Sequence, residues 1–174
     1  MNTAHLPRRL MAVTFGIAAA AAVLGAEPSA AATTPTNYDW AQRVLHEGHW
    51  PQSQDNLTVL TQWMASEQND IGHWWTGGNP DHHHINPLND GNGTGGGAGL
   101  GSYDNLRSAA YYAAKTLREG PDYRHITADL KASKPPGTTA KAIWTSPWAA
   151  SHYGHGKHWY NTRVPEKAAP ASDW

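Results

Sequence analysis

Glu67 is the residue whose type and position in this sequence could do acid–base chemistry. From Leu57, apolar residues recur at Leu60, Trp63 and Met64, and Glu67 takes the next step of the same helical stripe. A carboxyl turned the way Leu and Met turn loses hydration, which favours its neutral form, the form a general acid must hold. The plainer reading puts Glu67 in the last helical turn with its carboxylate reaching into water. Trp74 and Trp75 follow in a loop, and flat indole faces can stack on a sugar ring as well as fill a core.

A second set of residues points to metal chemistry. His82, His83 and His84 are adjacent, and His152, His155 and His158 are spaced through the C-terminal part. Imidazole suits zinc or copper. Of these, His82, His84, His152 and His155 are the candidate ligands. Against that, neighbouring histidines in an extended loop point in alternating directions, and no H-E-x-x-H string occurs. Gly91, Gly93 and Gly96 fit a G-x-G-x-x-G string with no strand before it, so no nucleotide or other cofactor is expected.

The elements that must position these groups read as helices. Asn37 caps a short helix to Glu47 that carries Trp40, Val44 and Leu45, with Gly48 as its stop. Ser53 caps the helix bearing Glu67, which ends near Gln68 or Asn69. From Asp70 to Gly101 there is no periodicity. Ser102 or Asp104 caps a third helix to Glu119, with Leu106, Ala109, Ala110, Ala113 and Leu117 on its buried face and Gly120-Pro121 ending it. Further helices are predicted from Asp122 to about Ala132, over Thr139 to Trp144, and from Ser146-Pro147 to Gly154. The tail from Val164 to Trp174 is expected to fray. No strand pattern competes, and the fold expected is all-α, a single helical domain with long loops.

Composition narrows the setting. Arg8 and Arg9 precede an uncharged run from Leu10 to Ala26, and Ala30-Ala31-Ala32 offers the small residues of a cleavage site, so residues 1–32 are expected to be a secretory signal peptide. The mature chain would then keep roughly 140 residues, one domain by size, as a monomer outside the cell or in the cell wall. Residues 33–52 would be a leader and short helix, 53–163 the main domain and 164–174 a flexible tail. There is no cysteine, so packing alone must hold the fold. Thirteen basic residues against fourteen acidic ones, with no basic run, argue against nucleic acid as a partner. The apolar run is too Ala- and Gly-rich for stable membrane insertion.

The order of motifs resembles a known family. Trp63-Met64-x-x-Glu67, Asn86-Pro87-Leu88, Gly99-Leu100-x-x-Tyr103, Ala113-Ala114-x-Thr116-Leu117, Tyr123-x-x-Ile126 and Ala142-Ile143 with Ser146-Pro147-Trp148 are similar to the small lysozyme-like domains of actinobacteria and their phages. These are relatives of the lytic transglycosylases and goose-type lysozymes. The resemblance covers about residues 53 to 155. It implies a lysozyme-like fold and a secreted glycosidase acting on peptidoglycan glycan strands, with Glu67 as general acid. With Glu67 in that role, Asn86 could hold an N-acetyl or orient Glu67 and Tyr103 could hydrogen-bond the cleft, both being equally open to a structural role, and Trp74 and Trp75 are candidates to stack a sugar face.

The sequence departs from that pattern at Gln68, in the longer His-rich loop before Asn86 and in the glycine run after it. Of possible second carboxylates, Asp70, Asp81, Asp90 and Asp104, none is singled out by spacing. A transglycosylase needs none, because the sugar's own groups complete the reaction. Two other functions compete: a catalytically inactive lysozyme-like cell-wall binding protein, and a His-ligated metal-dependent hydrolase or metal-binding protein.

Overall fold

The computed structural model describes residues 35–68, 85–91, 101–103, 105–161 and 164–169. Five α-helices make up the described fold: α1 (Asn37–Gly48), α2 (Gln54–Gln68), α3 (Leu106–Glu119), α4 (Arg124–Lys131) and α5 (Pro136–Trp144). Short 3-10 turns stand at Pro121–Tyr123 and Gly154–Gly156. Among the described residues there is no strand, and no helix is long and apolar enough to cross a membrane. The chain is all-α over these residues, as the sequence pattern predicts.

Helix α2 is the axis of the core. Leu57, Leu60, Trp63 and Met64 are buried as the stripe requires, and Val59 and Ala65 are buried as well, so partners cover more than one face. Ser53 begins the helix by accepting from the backbone N–H of Asn56 at 3.2 Å. Asn56 is itself fully buried, and its amide donates to the carbonyls of Pro51 at 2.7 Å and Leu130 at 2.8 Å. The bond to Leu130 fastens the start of α2 to the end of α4, whose Ile126 and Leu130 enter the same core.

Helices α1 and α3 lie side by side. The alanines of α3, Ala109, Ala110, Ala113 and Ala114, are all buried and keep its surface low enough for close approach. The Trp40 indole of α1 spans the contact and donates to the Leu106 carbonyl at 3.0 Å. At the end of α1, a Cβ on Gly48 would sit 2.2 Å from the Trp50 ring, so glycine is needed there for close approach. The chain turns one residue later, at His49, whose φ is 57°.

Several boundaries differ from those predicted. Thr36, not Asn37, caps α1: its hydroxyl accepts from the Asp39 N–H at 3.4 Å, and Asp39 returns the favour by accepting from the Thr36 N–H at 2.8 Å. A reciprocal capping box satisfies two N–H groups at once, which a lone Asn cannot. Asn105, not Ser102 or Asp104, caps α3 through the Ser108 N–H at 2.8 Å. Helix α5 begins earlier than predicted, at Pro136, because proline is well suited to a first helical turn. The helix predicted from Ser146 does not form as one. The stretch runs as successive turns instead, and Gly154, His155 and Gly156 all take positive φ.

Part of the tail expected to fray is docked. The Thr36 hydroxyl donates to the Glu166 carbonyl at 2.8 Å, and the N–H groups of Ala168 and Ala169 donate to Asp39 at 3.2 and 3.1 Å. Ala169 is buried, and so is Asp39. One carboxylate thus serves both the start of α1 and the returning chain. Asp39→Ala should cost about 2 kcal/mol, a cap plus buried N–H groups left without their acceptor. Thermal unfolding of this variant should fall by several degrees, and truncation after residue 163 should account for part of that loss.

Candidate active site

Glu67 comes at the end of α2, and its side chain is only 6% exposed. It does not reach into water. The Tyr153 hydroxyl donates to its Oε1, and the Asn89 amide donates to its Oε2 at 3.1 Å. His152 Nε2 lies 3.5 Å from the same Oε2. The Tyr153 hydroxyl also accepts from the Trp63 indole N–H at 2.6 Å. A string of polar groups therefore runs from Trp63 through Tyr153 to the carboxyl of Glu67, with both ends on α2.

Each of these partners is placed by local structure. Asn89 has φ of 48°, a left-handed conformation that Asn tolerates better than most residues. The turn that puts it there is clasped by Asn86. The Asn86 side chain accepts from the Asp90 N–H at 3.1 Å and donates to the carbonyls of Asp90 at 3.0 Å and Gly101 at 3.1 Å. Its backbone carbonyl accepts from the Asn89 N–H at 3.1 Å. Tyr103 donates to Asp90 from the other side, and Gly101 leaves the room: a Cβ there would sit 2.4 Å from the Tyr103 hydroxyl. Both Asn86 and Tyr103 are buried, and the structure uses them to build the turn that presents Asn89.

Tyr153 and His152 come from the turns after Ser146. Backbone bonds from His155 to Ala150 at 2.9 Å, and from Gly156 and His158 to Tyr153 at 2.9 and 3.1 Å, fold this stretch back on itself. The Trp159 ring packs edge-on against Tyr153 at 5.5 Å and holds the phenol beneath α2.

Above the carboxyl lies an open cleft of about 420 Å³. Trp63, Trp148 and Tyr123 form its aromatic side, and Leu88, Thr116 and Leu117 are among its remaining walls. Trp148 is 36% exposed, the one tryptophan among the described residues that stands out as exposed. It stacks on Trp63 at 6.3 Å and meets the edge of Tyr123 at 5.4 Å. The result is an exposed indole set against three rings, Trp63, Tyr123 and Tyr153, next to a carboxyl.

No family model, no curated protein and no solved structure matches this chain.

Of the residues singled out in the sequence, Glu67 is on the cleft, while Asn86 and Tyr103 support it from behind. Trp74, Trp75, His82 and His84 lie outside the described residues. His152 is at the cleft and His155 is in the adjoining turn. Among the described residues no group of three or more His, Asp or Glu side chains gathers in a way that could hold a metal ion. Sequence reasoning missed Asn89, His152 and Tyr153 as partners of Glu67, and Trp148 as a platform. The available signals were an Asn closing the Asn-Pro-Leu turn, and an aromatic pair next to a glycine-rich turn.

Three phenols of the region resist ionisation, Tyr103 and Tyr153 buried and Tyr123 partly so. Burial, and then the Glu67 carboxylate, raise the pKa of Tyr153 far above 10.0. Burial and the bond to Asp90 do the same for Tyr103. Burial, with Asp122, Asp90 and Glu67 nearby, raises that of Tyr123. Above pH 10 the unfolded chain releases phenolic protons that the folded chain retains, so the unfolded state binds fewer protons and stability falls as pH rises. Below pH 10 this contribution is fully present. Denaturant unfolding should show a decline beginning near pH 10, and Tyr153→Phe should make it shallower by up to about 1.4 kcal/mol per pH unit.

Proposed function

We propose that the protein is an exported lysozyme-like glycosidase that cleaves the glycan strand of peptidoglycan, with Glu67 as its general acid. The observation that carries this reading is a carboxyl withdrawn from water, held by Tyr153 and Asn89, and facing a cleft with a fixed indole platform. A glycosidic bond needs two things from such a site. One is a proton for the leaving oxygen, and the other is a flat apolar surface that holds the sugar ring beside it.

In the proposed step the sugar lies against Trp148, and Glu67 offers a proton from Oε2, the oxygen on the His152 side. As the bond from the anomeric carbon to the leaving oxygen breaks, its electron pair stays with that oxygen and takes the proton. Tyr153 keeps Oε1 engaged throughout, so the carboxyl does not rotate. Asp90 also borders the cleft, where its Oδ1 accepts from Tyr103. In the transglycosylase version no second carboxylate is needed: the substrate's N-acetyl and C6 hydroxyl complete the reaction and Glu67 acts as acid and then base.

A binding protein without turnover is the second reading, favoured by the engagement of both Glu67 oxygens in the resting site. Purified peptidoglycan separates the two. Wild type should release soluble glycan fragments whose masses match cleavage between sugars, with chelator making no difference. Glu67→Gln should lose at least about a hundredfold in rate while still binding the polymer. Trp148→Ala should raise KM several-fold, as expected for a lost stacking contact of about 1 kcal/mol. Binding by wild type without any release would select the second reading.

A further inference from the structure

Glu67 is approached by three side chains among the described residues, and their chemistry is unequal. Tyr153 has its hydroxyl fixed in sense, accepting from Trp63 and donating to Oε1. Its phenol is held neutral by burial. Asn89 presents an amide, which neither gains nor loses a proton in this range. His152 alone of the three has two ring nitrogens, one able to give a proton while the other takes one, and its side chain meets solvent, being 54% exposed. Its ring is set edge-on against Tyr153 at 4.6 Å, with Nε2 3.5 Å from Oε2.

This matters because the carboxyl is arranged as an acceptor. Tyr153 and Asn89 both donate to it, yet a general acid must carry its own proton on the oxygen turned to the substrate. From this geometry we propose that His152 is the positioning residue that loads that proton. A neutral ring protonated at Nε2 gives that proton to Glu67: the Nε2–H bond breaks and the Glu67 Oε2–H bond forms as Nδ1, the ring's other nitrogen, takes a proton from a solvent hydronium ion, leaving a neutral imidazole protonated at Nδ1 and a neutral carboxyl. The other titratable groups around this corner are Asp90, Tyr123 and Tyr153, and the two phenols stay neutral at working pH. This inference rests on reading Glu67 as the acid.

The test compares His152→Gln and His152→Ala with wild type and Glu67→Gln on purified peptidoglycan. His152→Gln keeps an amide donor in reach of Oε2 but cannot deliver a proton. Both His152 variants should lose roughly a hundredfold in kcat with KM little changed, and added imidazole should restore much of the rate of the Ala variant alone. Rescue by imidazole is something a purely structural histidine would not give. Wild-type turnover by His152→Gln, beside an inactive Glu67→Gln, would overturn the inference and leave the acid in place.

Failure of wild type to cleave the polymer would instead count against the acid itself. In that case long-range nitrogen–proton spectra of the His152 ring decide the pairing independently of activity. A proton held on Nε2 in wild type and redistributed in Glu67→Gln supports the shared pair. Identical ring signals in the two proteins overturn it.

Discussion

Trp63 and Glu67 sit one helical turn apart on α2, and the Tyr153 hydroxyl bridges them. That bridge ties the central helix to the turns after Ser146, which have little regular structure of their own, alongside the Tyr160 N–H donating to the Ser66 hydroxyl at 3.0 Å and the Trp148 ring on Trp63. A buried phenol with both a donor and an acceptor satisfied is worth keeping in place. Lost, it would leave an indole N–H and a carboxyl oxygen buried without partners, each costing about 1–3 kcal/mol. Together with the ring contacts of Trp148, this bridge keeps His152 and Trp148 on the cleft at the end of α2.

The opposite wall depends on a second device of the same kind. Asn86 closes the turn from residue 86 to 90 with its side chain, and Tyr103 and Gly101 brace Asp90 from behind. Asn89 can then hold a left-handed backbone, a conformation of modest cost for Asn, and reach Glu67. Two irregular segments, far apart in sequence, are thus brought to the two oxygens of one carboxyl. Regular helices supply the floor, and turns supply the groups with chemistry, an arrangement common in sites built on rigid scaffolds.

This division explains what the sequence could reveal. The stripe from Leu57 to Glu67 follows the helical period, so both the helix and the inward turn of Glu67 were legible. The Ala-rich face of α3 was legible for the same reason. Asn89, His152, Tyr153 and Trp148 lie where no period operates, and Ser146 to Gly154 looked helical because Ser-Pro is a good helix start. It runs as turns instead, positive φ at Gly154, His155 and Gly156 reverses the chain at its end, and Trp159 packs back on Tyr153. The docked tail was hidden for a different cause: Ala168 and Ala169 bind through backbone N–H groups, which carry no residue signature.

The bridge to Glu67 can be cut without removing the ring that makes it. Tyr153→Phe removes one hydroxyl, keeps the ring against Trp159, and frees Oε1 of Glu67. The decisive measurement is its rate of fragment release from purified peptidoglycan at neutral pH, with the fold verified by circular dichroism. The account predicts a folded protein whose rate is lower by about ten- to a hundredfold, because a carboxyl free to rotate no longer keeps its proton on the substrate side. Release at the wild-type rate by a folded Tyr153→Phe protein would contradict it.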